Sequence, residues 1–138
     1  GQGLDVVLLP GQAETAMLAA DVVLVNGGTA TLEAMLLRRP MVMSYRLGWF
    51  THALVSRLVS TPFFALPNIL AGRQLVPELI QDAATPAALS AAVLRLFEPA
   101  NCAALLAEYE VIHRQLRKNA GEQAATAILA LCQRQAAA

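Results

Sequence analysis

Residues 21–25 read DVVLV, an unbroken aliphatic run after one aspartate, and Asn-Gly-Gly-Thr follows at once before the helix-forming stretch TATLEAMLL. An uninterrupted apolar run, unlike an alternating one, suits a strand covered on both faces, and that is the habit of parallel sheets. The same alternation recurs along the first half. DVVLLP (Asp5–Pro10) reads as a strand and GQAETAMLAA (Gly11–Ala20) as a helix. Asp21–Val25 is a strand, Thr29–Leu37 a helix, MVMSYR (Met41–Arg46) a strand, Trp49–Ser60 a helix and FFALPN (Phe63–Asn68) a fourth short strand. Strands that alternate with helices across short connections make right-handed βαβ crossovers.

After Asn68 the pattern turns helical, over Gly72–Ile80, Thr85–Phe97, Asn101–Lys118 and Gly121–Gln135. Thr85-Pro86 pairs an N-cap residue with proline at the first helical position, while Arg38, Arg39 and Pro40 close the second helix. The fold class expected is α/β, a Rossmann-like parallel sheet followed by C-terminal helices.

Composition narrows the function classes. Ten Lys and Arg balance ten Asp and Glu, so no net charge draws the chain to nucleic acid. Apolar residues reach 57% against the usual ~45–50%, and alanine supplies much of the excess. No apolar run approaches the ~18 residues of a membrane span. Cys102 and Cys132 lack a CxxC pattern and read as buried free thiols. His52 and His113 have no neighbouring Cys or carboxylate at ligand spacing, so no metal is expected. Neither GxSxG nor a Ser/His/Asp constellation is visible. Without a signal peptide the default location is cytoplasmic. The opening, which has no methionine and runs almost at once into a strand, reads as a piece of a longer protein.

In open parallel sheets ligands sit beyond the carboxyl ends of the strands. Three such ends stand out: Asn26-Gly27-Gly28-Thr29, Tyr45-Arg46 and Leu66-Pro67-Asn68. Gly-Gly lets backbone approach a ligand, and the N–H groups and dipole of the next helix favour phosphate near Gly28 and Thr29. Glu33 lies one turn beyond Thr29 on the same face, where it can accept hydrogen bonds from ribose hydroxyls. The residues alone leave the plain readings open: a tight turn at Gly-Gly, a solvated Glu33, a turn-forming Asn68, a surface Arg46. The pattern is neither GxGxxG nor a P-loop. Trp49, Phe50, Ala53 and Leu54 suit core packing or a lipid-facing surface.

Three ordered segments, GGTATLEAMLLRRPMVMSYR, LVSTPFFALPNILAGRQLVPELIQ and RKNAGEQAATAILAL, resemble the C-terminal part of the lipid A disaccharide synthase family. The resemblance implies a glycosyltransferase-B (GT-B) architecture, two Rossmann-like lobes with a cleft between them. Residues 1–118 would be part of the UDP-sugar-binding lobe, and 119–138 a C-terminal helix that packs on the other lobe or on a partner chain, a homodimer in the latter case. The implied reaction is that of a hexosyltransferase. UDP-2,3-diacylglucosamine and 2,3-diacylglucosamine 1-phosphate give a β-1,6-linked disaccharide and UDP, at the inner face of the cytoplasmic membrane and without cofactor or metal. Carried over, Gly28, Thr29, Glu33, Asn68 and Arg46 are UDP-binding. Tyr45 and Arg46 match the family's YR strand end, and Asn119, Glu122 and Gln123 its N-x-x-E-Q segment. The catalytic base is expected in the other lobe, outside this chain. The family usually has serine where this chain has Gly27, which removes a hydroxyl and leaves the backbone site. The alternatives are another GT-B enzyme using UDP-N-acetylglucosamine, a transferase or 2-epimerase, and a nucleotide-binding or membrane-association module inactive alone.

Overall fold

A computed structural model of the chain describes Gly3, residues 5–46 and residues 62–136. Helix α1 (Ala13–Ala19) leads to β1 (Val23–Val25), α2 (Thr29–Leu36) and β2 (Met41–Tyr45); then come α3 (Leu66–Ala71) and β3 (Glu78–Ile80). A 3-10 turn (Gln81–Ala83) precedes α4 (Pro86–Leu96), α5 (Pro99–Leu116) and α6 (Ala120–Ala136). The sheet is parallel in the order β1-β2-β3, with Val23 opposite Met41 and Met43 opposite Glu78. The α/β expectation therefore holds, as part of a Rossmann-like lobe followed by helices. The helix read over Trp49–Ser60 lies outside the described residues.

The central strand explains why the sequence reads as it does. Met41, Val42 and Met43 are all buried, which requires cover on both faces. Helix α4 packs on β2, while α5 runs across α2, α3 and α4. The core gathers Met35, Met41, Met43, Val76 and Tyr109. Helix α2 closes with Arg38 in the left-handed region at φ 56°. The Arg39 N–H donates to the Ala34 carbonyl at 2.8 Å and the Arg38 N–H to that of Met35 at 2.9 Å. That pair of bonds is a Schellman turn with arginine in the place glycine usually takes. Arg39 then reaches the Ala20 carbonyl at 3.3 Å, and Arg38 pairs with Glu110 on α5 at 3.5 Å.

Three sequence expectations are corrected. Asp5–Pro10 forms no strand. Val6, Val7 and Leu8 are 74–84% exposed, and β-branched composition makes a strand only where a neighbour pairs with it. Phe63–Asn68 is not a strand either: Leu66–Ala71 is helical, with proline inside its first turn, a position proline favours. Gly72–Ile80 is not a helix. Gly72, at φ 66°, ends α3, and Glu78–Ile80 becomes the third strand. The cysteines are free as expected, but Cys102 is only half-buried and Cys132 exposed.

The C-terminal expectations hold more closely. Thr85 Oγ1 accepts from the Ala88 N–H at 3.2 Å, the cap expected of Thr-Pro. Between α5 and α6, Asn119 turns at φ 48°. Its amide donates to Glu122 at 3.1 Å, and Gln123 donates to the Lys118 carbonyl at 2.8 Å. The N-x-x-E-Q pattern is thus a local joint in its own right. Residues 120–130 of α6 are exposed throughout. Among the described residues no single helix is long and apolar enough to cross a membrane.

Tyr109 is fully buried, and its hydroxyl finds no partner among the described residues. Burial, with a smaller contribution from Cys102, holds its phenol well above the usual range. A group with a raised folded pKa stabilises fully below its unfolded value and loses that contribution as pH rises. Tyr109→Phe is expected to be neutral or stabilising by up to about 1 kcal/mol near neutrality, since it removes an unpaired hydroxyl. Its advantage over the parent should widen above about pH 10, where the unfolded phenol ionises. Thermal melts near neutrality and in alkali measure both; a large loss at neutral pH would show that the hydroxyl has a partner.

Candidate functional site

The carboxyl end of β1 opens into the Gly-Gly turn. Gly27 and Gly28 have φ of 93° and 67°, a backbone in which an L side chain is strained. At Gly27 space forbids one too, because a Cβ there would lie 2.9 Å from Met43 Cε and 3.8 Å from Tyr45 Cδ2. Gly28 caps α2 without a side chain, and its carbonyl accepts from both the Thr31 N–H (3.2 Å) and Thr31 Oγ1 (2.8 Å). The N–H groups of Thr29 and Ala30 have no acceptor among the described residues. They stand at the positive end of an eight-residue helix, which suits an anion.

One recess lies at this turn and a second lies farther along α2, against α1. The first, of about 270 Å³, is lined by Asn26, Gly27, Gly28, Met43, Tyr45 and Phe64. The second, of about 200 Å³, is lined by Glu14, Glu33, Leu36 and Leu37. Glu33 therefore does sit one turn along from Thr29, exposed and in a recess. Its companion Glu14, from α1, was not foreseen. Two carboxylates in one recess repel anions but accept from hydroxyl donors. A larger cavity of about 550 Å³ lies elsewhere, between α4 and α5. Alanines and leucines floor it and an Arg73–Glu108 ion pair at 2.6 Å crosses its rim.

The other expected residues fall in different places. Arg46 follows β2 and is exposed; its guanidinium stands 4.0 Å from Asp82, which is more exposed still. Asn68 is fully buried. Its amide donates to the Val76 carbonyl at 2.9 Å and to Glu78 Oε1 at 2.7 Å. Its oxygen accepts from the Leu75 and Val76 N–H groups at 2.7 and 2.8 Å. Two donors and two lone pairs are all an asparagine has, so in this geometry Asn68 keeps nothing for a nucleotide. It is a clamp between α3 and β3. The Glu78 carboxylate also accepts from the Phe64 and Ala65 N–H groups at 3.0 and 2.9 Å, which caps α3. Thr31 Oγ1 accepts from the Leu66 N–H at 3.1 Å and so joins that cap to the glycine turn.

Sequence reasoning missed Thr31, Glu78, Met43 and Phe64. Only Thr31 carried a signal, as a hydroxyl in the first turn of a helix that no side chain caps. His52 lies outside the described residues. Among those described, no group of His, Cys, Asp or Glu side chains is placed to share a metal ion.

Asn68→Asp tests the clamp. The substitution keeps the shape but loses both donors, leaving the Val76 carbonyl unpaired and setting a second carboxylate against Glu78. The expected cost at pH 7 is about 3 kcal/mol or more. Burial and the like charge raise the folded pKa of the introduced carboxyl. Its penalty should therefore be smallest below the unfolded value of about 3.9 and should grow as pH rises. Urea unfolding at several pH values reads this directly, and a midpoint equal to that of the parent at pH 7 would rule the clamp out.

A family model described as lipid-A-disaccharide synthetase matches residues 1–130. The lipid-A-disaccharide synthase of Azotobacter vinelandii is 49% identical over 135 residues, which cover 95% of this chain and 34% of that protein. That of Alcanivorax borkumensis is 50% identical over 129 residues, 93% of this chain and 34% of the relative. That of Sodalis glossinidius is 53% identical over 132 residues, 95% of this chain and 35% of the relative. The chain spans about a third of the length of these curated relatives.

Proposed function

The chain belongs to the lipid-A-disaccharide synthetase family, and from that premise we propose that it is the UDP-sugar-binding portion of a glycosyltransferase that makes the lipid A disaccharide. The reaction joins C1 of the sugar in UDP-2,3-diacylglucosamine to the 6-hydroxyl of 2,3-diacylglucosamine 1-phosphate and releases UDP. Both sugars are acylated, so the enzyme works at the inner face of the cytoplasmic membrane. The observation that carries this reading is the glycine turn, which leaves the Thr29 and Ala30 N–H groups free at the start of α2, with Glu33 exposed one turn farther along that helix.

The diphosphate rests on Gly28, Thr29 and the start of α2. As the glycosidic bond to UDP breaks, negative charge grows on the β-phosphate, and fixed amides and the helix dipole stabilise it without reorganising. That chemistry calls for no metal. Glu33, with Glu14 near it, accepts from the ribose hydroxyls. Arg46 supplies a cation at the neighbouring strand end, where it exchanges Asp82 for phosphate. Asn68 acts at one remove by holding α3 and β3 in place. The base that activates the acceptor hydroxyl lies outside these residues. Helix α6, exposed along residues 120–130, docks on the other lobe or on a second chain.

Calorimetry of the 138-residue chain with UDP, and with AMP as control, tests the nucleotide site. Selective UDP binding is expected. Glu33→Ala should weaken it by about 2- to 10-fold, the worth of about 0.5–1.5 kcal/mol per hydrogen bond. A folded chain that binds neither nucleotide, or a Glu33→Ala variant with unchanged affinity, would refute the assignment in turn of the site and of Glu33.

A further inference from the structure

We propose that Thr31 is a positioning residue for the anion at the glycine turn, its hydroxyl fixing the peptide plane that carries the Thr29 N–H; this rests on the nucleotide reading above. In a planar trans peptide the C=O of one residue and the N–H of the next point in opposite directions. The Thr29 N–H, free among the described residues, shares its plane with the Gly28 carbonyl and is aimed by whatever holds that oxygen. Two groups hold it, the Thr31 hydroxyl at 2.8 Å and the Thr31 N–H at 3.2 Å. The hydroxyl is the shorter contact. Gly28 itself fixes nothing. Its φ of 67° and ψ of −150° lie in a region that is essentially glycine's alone, and a residue without Cβ has other wells open to it. Rotation of the 28–29 peptide would take the Thr29 N–H out of line with that of Ala30.

The hydroxyl is itself aimed from a third element. Thr31 is fully buried, so bulk water does not compete for its hydrogen bonds. Its Oγ1 accepts from the Leu66 N–H at 3.1 Å, which occupies a lone pair and leaves the proton for the Gly28 carbonyl. The residues before Leu66 are pinned as well, since the Phe64 and Ala65 N–H groups end on the Glu78 carboxylate at 3.0 and 2.9 Å. Three successive N–H groups at the start of α3 thus have fixed acceptors. The acceptor of the third is the hydroxyl that holds the Gly28 plane. A carbonyl that accepts two hydrogen bonds also polarises its own peptide, and the N–H at the far end becomes the better donor. Thr31→Val keeps the branched shape and loses both side-chain hydrogen bonds, which leaves the Thr31 N–H alone on that carbonyl. Thr31→Ser keeps both.

UDP and uridine are the probes, titrated by NMR into the parent chain, Thr31→Val and Thr31→Ser. The parent should bind UDP about tenfold more tightly than uridine, the difference belonging to the diphosphate. Thr31→Val should bind uridine within about twofold of the parent, which also reports that it folds, and UDP about fivefold more weakly. Thr31→Ser should bind UDP within about twofold of the parent. A hydroxyl with a merely structural role would change the melting temperature and leave the ratio of UDP to uridine affinity untouched. That unchanged ratio in Thr31→Val would overturn the proposal, and so would Thr31→Ser binding UDP as weakly as Thr31→Val. The parent supplies a check that needs no variant: saturation with UDP should move the Thr29 amide proton signal downfield and uridine should not, and a Thr29 signal that UDP leaves in place overturns the assignment. Failure of the parent to bind UDP at all would remove the nucleotide reading and this inference with it.

Discussion

The Asn68 amide holds together everything around the glycine turn. It is fully buried and spends each of its four hydrogen-bonding positions on the 75–78 segment. Glu78, one of its partners, uses the same carboxylate to cap α3. Thr31 ties that cap to the first turn of α2. The result is one connected polar network running from β3, through the start of α3, to the start of α2. A buried polar network fixes geometry well only when every member is satisfied, because an orphan in a low dielectric is costly. Here the network anchors two helix starts without using the N–H groups of Thr29 and Ala30.

The same network explains what the sequence did and did not disclose. The β1-α2-β2 unit was legible because its signals are local. An unbroken apolar run, a glycine pair and a capped helix each read within a few residues. The Thr85-Pro86 cap and the long C-terminal helices were legible for the same reason. Phe63–Ile80 was misread because its structure is decided at a distance. Phe63 to Leu66 reads as an apolar strand closed by Pro67, yet the backbone bends into a helix once Glu78 and Thr31 satisfy its first N–H groups. Glu78 sits in a three-residue strand that no periodicity could reveal, and it is there because a carboxylate is needed thirteen and fourteen residues upstream. Asp5–Pro10 erred the other way, since its composition is that of a strand but none of the described residues pairs with it.

Candidate residues were legible in proportion to their reliance on the main chain. Gly28, Thr29 and Glu33 follow from a turn and a helix, and the fold sets them along α2, with Gly28 lining one recess and Glu33 another. Asn68 follows from a motif, and the fold commits its side chain to structure. A residue beside a ligand site is retained as readily for holding the loop as for touching the ligand, and sequence spacing cannot separate the two. Hydrogen-bond saturation can, because a fully committed amide has nothing left to offer.

The amides of the glycine turn bear on specificity under the proposed function. Backbone N–H groups recognise phosphate wherever it comes from, so under the proposed function the glycine turn alone would not choose among nucleotide sugars. The side chains around it differ: aromatic rings line the recess on the β2 side with Gly27, and the carboxylates of Glu14 and Glu33 line the recess between α1 and α2. Changing Gly27 would alter the backbone strain and the cavity together, since both φ and the Met43 contact depend on that one missing Cβ. The pair Gly27 and Met43 therefore couples the shape of the glycine turn to the width of the neighbouring cavity. Family members with a side chain at position 27 must settle that packing differently.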